Sequence, residues 1–122
     1  MCDLRTYALA LTLLVPTAAA GQGLTEPLRH FATCTGRLSA LTEHQWRTDG
    51  PASEATARQR DAMADLLAAV TPPEDAIQAM ALRIEAKAAL AALLAHAHRT
   101  QDRSAQSQAL RLIGPCTGML LG

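Results

Sequence analysis

Apolar positions in this chain fall into two patterns. One is an unbroken run, Tyr7 to Val15, behind a lone Arg5 and ahead of Pro16-Thr17-Ala18-Ala19-Ala20. The other begins near Glu26, where apolar residues recur every three to four positions, the signature of helices with one buried face. With Leu28 set at zero on a wheel of about 100° per residue, Leu24, Phe31, Thr35, Leu38, Thr42, Gln45 and Trp46 fall on one side. Cys34 and Leu41 lie at its edge, and Arg29, Thr33, Arg37, Glu43, His44 and Arg47 lie opposite. This predicts an amphipathic helix from about Glu26 to Arg47, with Phe31 and Trp46 in its buried stripe.

Thr48-Asp49-Gly50-Pro51 reads as a turn, with Pro51 suited to open the next helix. A second helix is expected from Ala52 to Val70, through Ala52, Thr56, Gln59, Met63, Leu66, Leu67 and Val70. Its first half is small or polar on that stripe, so thin packing is expected there. Thr71-Pro72-Pro73-Glu74 has the spacing of a capping box, with Thr71 as cap, Pro72 as first helical residue and Glu74 bonding back. A third helix follows to about Arg99. One face carries Ile77, Met80, Ile84, Ala88, Ala91, Leu94 and Ala95, and the opposite side carries Leu82, Leu90 and Leu93. Two-sided apolarity predicts either a central place in a bundle or a contact surface, and Leu82, Leu90 and Leu93 are the interface candidates. A fourth helix is expected over Ala105 to Ile113, broken or kinked by Gly114-Pro115, before a mostly apolar stretch from Cys116 to Leu121.

Composition narrows the fold. From Gly21 onward there are 21 alanines, and the only β-branched aliphatics are Val70, Ile77, Ile84 and Ile113. Alanine and straight-chain residues lose little freedom in a helix, and strands favour what is missing here. The expected fold is all-α, a three-to-four-helix antiparallel bundle with one disulfide.

The N-terminal run changes the compartment. A basic residue, a short apolar core and small residues before Gly21 make a secretory signal peptide over residues 1–20, cleaved after Ala20. Residues 21–122 then form a single helical domain, periplasmic or secreted. The run is shorter than the roughly 20 apolar residues of a membrane span, so no stable span is expected after cleavage. Cleavage removes Cys2 and leaves Cys34 and Cys116, which an oxidising compartment would join. The formal net charge is zero, which argues against nucleic acid and anionic membrane surfaces as partners and favours association with a protein partner or with further copies of the chain.

Candidate chemistry is sparse. Cys34 and Cys116 lack Cys-x-x-Cys spacing, so a structural bridge is expected rather than a redox pair. His30, His44, His96 and His98 are possible ligands, but His96 and His98 diverge on a helix and could share a metal only in extended chain. Covalent haem attachment would need Cys-x-x-Cys-His. A non-covalent haem would need Met63, Met80, Met119 or His98 facing the core, where methionine more often fills gaps. Asp61 and Asp65 stand one turn apart beside Arg58 and Arg60, a pattern of solvated surface. No nucleophile elbow or phosphate-binding glycine loop occurs. Trp46, Phe31 and Leu38 would line a groove if they are not core. No catalytic residue, resident metal or cofactor is assigned. The expectation is a small exported non-enzymatic helical protein that binds a partner, as an accessory or stress factor; the alternative is a periplasmic metal- or haem-binding bundle.

Cys34-Thr35-Gly36-Arg37-Leu38 is echoed by Cys116-Thr117-Gly118-Met119-Leu120. Together with the alanine-rich leader, Glu43-His44-Gln45-Trp46 and Asp49-Gly50-Pro51-Ala52, the Cys-Thr-Gly-x-Leu segment resembles uncharacterised small exported proteins of high-GC proteobacteria. The resemblance implies a periplasmic location and no mechanism.

Overall fold

A computed structural model describes residues 23–118. The expected signal peptide over residues 1–20, with Cys2 and the expected cleavage after Ala20, and residues 119–122 lie outside the described residues. The described chain is an all-α bundle of four helices: α1 (Glu26–Thr48), α2 (Gly50–Val70), α3 (Ala76–Thr100) and α4 (Arg103–Thr117).

Short polar residues set the helix boundaries. The Thr25 hydroxyl accepts from the Leu28 N–H at the start of α1. Asp49 serves two helices at once: its N–H donates to the Gln45 carbonyl, closing α1, while its carboxylate accepts from the Ala52 N–H, opening α2. Gln101 takes the left-handed conformation after α3, and Asp102 then caps α4 by accepting from the Ser104 and Ala105 N–H groups. These are the side-chain oxygens that satisfy otherwise unpaired N–H groups at a helix start.

Two local expectations are corrected. Thr71 does not open α3 with a capping box; its hydroxyl donates back to the Leu67 carbonyl and so belongs to the end of α2. The cause is the second proline. A residue before proline is pushed out of the helical region, and Pro72, before Pro73, is extended at φ −69°, ψ 157°. A single 3₁₀ turn, Pro73–Asp75, therefore intervenes, and α3 starts at Ala76 without a side-chain cap. Of the break or kink expected at Gly114-Pro115, the break does not occur: α4 continues to Thr117 with Pro115 inside it. Proline in a helix interior costs about 3 kcal/mol. Here the last turn is held from outside: Ile113 and Cys116 are buried, Cys116 is covalently tied to α1, and the Arg37 guanidinium donates to the Leu112 carbonyl at 3.0 Å.

The central helix is α1, not α3. Each of three buried clusters contains α1 residues: Leu28 and Ala32 with Leu67 and Ala79; Cys34 and Leu38 with Met63 and Cys116; Ala40 with Leu90, Leu94, Ala109 and Ile113. Helices α2, α3 and α4 all lie against α1, and α4 also lies against α3. Closeness is possible because small residues line one side of α1 at Ala32, Gly36 and Ala40. A Cβ at Gly36 would collide with the backbone carbonyl of Arg83 and come within 3.0 Å of the Lys87 nitrogen, so the two backbones touch there. The buried hydroxyls of α1 are satisfied without a partner helix. Thr35 donates to Phe31, Ser39 to Thr35 and Thr42 to Leu38, each to the carbonyl one turn back at 2.7–2.8 Å. The aromatic expectation holds less well. Phe31 is half-buried, but Trp46 is 63% exposed, because α1 reaches past the core at its C-terminal turn.

Candidate functional site

The disulfide pairs Cys34 with Cys116, across 82 positions, with Cα atoms 5.2 Å apart. Both residues are buried beside Leu38 and Met63. His30, one turn before Cys34, places its Nε2 3.7 Å from the Cys34 sulfur. The bridge fastens the end of α4 to the middle of α1. Closing a loop of this size stabilises by about 4–5 kcal/mol in the chain-entropy treatment. Sulfurs enclosed by apolar side chains have little access to an attacking thiolate, which fits a structural staple.

The three leucines chosen as interface candidates face inward. Leu90 is 1% exposed, among Ala40, Leu94, Ala109 and Ile113. Leu93 packs on that cluster, and Leu82 packs on the one built from Leu28, Ala32, Leu67 and Ala79. Helices α1 and α4 cover this side, so it is core and not a contact surface. The uncovered apolar side of α3 is the opposite one. Ile77 is 85% exposed, Met80 50% and Ile84 59%. Ala81, Ala88 and Ala91 continue the exposed stripe toward half-buried Ala95. Beside it, an open groove of about 220 Å³ runs between α2 and α3, lined by residues such as Leu67, Ala68, Ala79 and Met80.

The histidines separate. Because α3 stays helical to Thr100, His96 and His98 point apart. The Nε2 of His96 lies 3.4 Å from the Asp102 carboxylate. His98 instead meets His44 of α1, with ring centroids 5.6 Å apart and the rings edge to face. The His44 ring is held below the usual imidazole pKa, first by burial, then by the nearby charges of His98 and Arg47. The Asp102 carboxyl is held below its usual range, chiefly by the Ala105 N–H, against an opposing effect of desolvation, with the Ser104 N–H and His96 adding to the lowering. Among the described residues, no three His, Cys, Asp or Glu side chains gather as a metal site. The haem candidates are likewise scattered: Met63 is beside the disulfide, Met80 is on the outer face of α3, His98 is against His44, and Met119 lies outside the described residues. Asp61 forms a surface pair with Arg60 at 3.0 Å, and Asp65 is exposed. Of Trp46, Phe31 and Leu38, only Leu38 is fully buried, while Phe31 is half-buried and Trp46 exposed.

One grouping escaped the reading by local spacing. The C-terminal turns of α1 and α3 bring His44, Arg47, Thr48, His98 and Arg99 around a single cleft of about 330 Å³. His44 and His98 also border an apolar groove of about 220 Å³, walled by Leu41, Leu94, Ala109, Leu110 and Ile113. Its signal is basic and imidazole residues at the same end of two antipodal stretches, which becomes informative only once α1 and α3 are known to run side by side in the same direction. A scan against protein-family models finds no match for the chain, and searches of curated proteins and of solved structures find no similar one.

Proposed function

We propose that this chain is an exported, non-enzymatic helical protein that acts by binding, and that the outer face of α3 pairs with the same face of a second copy. The observation that carries the reading is the stripe of exposed Ile77, Ala81, Ile84, Ala88 and Ala91, ending at half-buried Ala95. Its spacing alternates four and three residues, the seam of a coiled coil. Over these positions α3 is about 27 Å long at 1.5 Å per residue. Alanine along a seam lets two helices approach closely, and a two-fold pairing presents the same stripe from both sides. A formal net charge of zero removes the repulsion that would otherwise separate two copies. Export rests on the leader-like residues 1–20 and on the disulfide, since such bridges persist outside reducing compartments.

Light scattering coupled to size exclusion tests the pairing. The wild type is expected to elute as a dimer and Ile84→Glu as a folded monomer. A wild type that stays monomeric at the highest soluble concentration overturns it. Export has its own check: the intact mass of protein recovered from the periplasm is expected to correspond to a chain beginning at Gly21. Full-length protein held in the inner membrane would contradict that part.

A further inference from the structure

We infer that the end of the bundle where α1, α3 and α4 meet binds a small anionic amphiphile, with its oxyanion head between Arg47 and Arg99 and a short apolar tail beneath Leu110. Two adjoining spaces carry the inference. The cleft above is lined by two guanidinium groups, two imidazoles and the Thr48 residue, with no carboxylate among its lining residues. The groove below is walled almost entirely by hydrocarbon from Leu41, Leu94, Ala97, Ala109, Leu110 and Ile113, with Gln106 as its only other polar neighbour. His44 and His98 border both spaces, so a molecule with a charged head and an apolar tail spans them without leaving either end mismatched.

The two arginines supply the positive charge at the head position, set against the partial negative charge of the α1 and α3 C-termini, and nearby carboxylates are engaged elsewhere. On α1, Glu43 is engaged with Lys87, away from the cleft. On α3, His96 is engaged with Asp102, the cap of α4. Asp49 directs its carboxylate to the Ala52 N–H. Neither Arg47 nor Arg99 has a carboxylate within 4.0 Å among the described residues. Cations in the last turn of a helix are favoured by the helix dipole, which accounts for each arginine alone. It does not account for the apolar groove that shares His44 and His98 with the cleft, nor for Leu110, 70% exposed, among the residues lining that groove. Guanidinium groups suit bidentate recognition of carboxylate or phosphate. The apolar space is smaller than the roughly 300–1,000 Å³ of drug-sized pockets, which selects a short tail.

Three probes separate the parts of this site: octanoate, octanol and inorganic phosphate, each titrated into the intact exported chain. Binding is followed by the imidazole proton signals of His44 and His98 and by the methyl signals of Leu110 and Ile113. Octanoate is expected to saturate both sets of signals, with octanol and phosphate at least about tenfold weaker. Arg47→Gln with Arg99→Gln, both at exposed positions, is expected to lower octanoate affinity at least about tenfold at unchanged melting temperature. Octanoate binding is expected to tighten as pH falls through the imidazole range. By reciprocity, bound octanoate then raises the His44 pKa. The inference is overturned if octanol binds as well as octanoate, if the double variant retains full affinity, or if octanoate produces no saturable shift. The stripe and the cleft share Ala95, so the titrations are repeated on Ile84→Glu, which disrupts the proposed pairing away from the cleft. Octanoate binding is expected to persist there, and its loss would overturn the site as a feature of the single chain.

Discussion

Helices α1 and α3 are nearly the same length and invert what their compositions suggest. Helix α1 carries hydroxyls, charges and a glycine, yet nine of its 23 residues are buried. Helix α3 is rich in alanine and leucine, yet only four of its 25 are buried. Hydrophobic burial rewards any apolar area removed from water, so composition alone would put α3 in the middle. What decides is how closely neighbours can approach. Gly36 with Ala32 and Ala40 lets α3 lie backbone to backbone on α1, and the Thr35, Ser39 and Thr42 hydroxyls bond internally, so burying them costs little. Helix α3 offers the leucines on one side and leaves isoleucines on the other.

The sharpest test of this contrast uses one substitution on both sides of α3. Leu90→Glu places a charge at a position 1% exposed, with no partner, and is expected to cost roughly 4 kcal/mol in urea unfolding. Ile84→Glu, at 59% exposure, is expected to stay within about 0.5 kcal/mol of wild type under dissociating conditions. Equal losses from the two would mean that the sides of α3 are not inequivalent as described.

Next in size is the staple. Cys116→Ala is expected to destabilise by about 3 kcal/mol. It releases the turn holding Pro115, so α4 is expected to fray after Leu112, visible as faster amide exchange there. Fast exchange confined to other helices would contradict the account of how that proline is tolerated. Gly36→Ala follows, at about 2–3 kcal/mol. A methyl normally favours a helix over glycine by about 1 kcal/mol, so a loss here reads the backbone contact with Arg83 directly. A gain in stability would show that α1 and α3 are not in backbone contact.

The sequence resolves some of this better than the rest, for physical reasons. Helix existence is legible because it depends on periodicity and composition, and the pairing of Cys34 with Cys116 because, once Cys2 is set apart with the leader-like residues 1–20, two cysteines remain for one intramolecular bridge. The junction of α1 and α2 is legible from Thr48-Asp49-Gly50-Pro51, although the expected turn shrinks to Asp49 alone, because that residue closes α1 with its N–H and caps α2 with its carboxylate. The central helix is not legible, because Gly36 looks like a weak point until Arg83 is placed against it. The Thr71 capping box fails through an influence of Pro73 on Pro72 that a cap-spacing pattern omits. Helix α4 outlasts Pro115 through Arg37 and Cys34, both remote in sequence. The cleft of His44, Arg47, His98 and Arg99 joins two helices whose shared direction only the fold supplies.

The smallest expected effect lies at that cleft and separates α1 from α3 by pH. The His44 pKa is lower in the folded chain than in the unfolded one, because burial and the charges of His98 and Arg47 disfavour its protonated form. The unfolded state therefore binds more protons as pH falls through the ordinary imidazole value of about 6.5. Stability contributed by a neutral His44 is present above that value and lost as pH falls toward the folded pKa. The ring is partly solvated, so the loss is expected to stay below about 1 kcal/mol. Asp102, a carboxyl with a lowered pKa, acts in a separate and more acidic window, its stabilisation lost as pH falls through the carboxylate range. His44→Gln is expected to flatten the stability profile between about pH 7 and 5, and His98→Gln to flatten it partially, since burial of His44 is the larger cause and remains. Thermal melts across that range read both. A profile unchanged by His44→Gln, or one flattened as much by His96→Gln, would show that the pairing of His44 with His98 does not set the pH response.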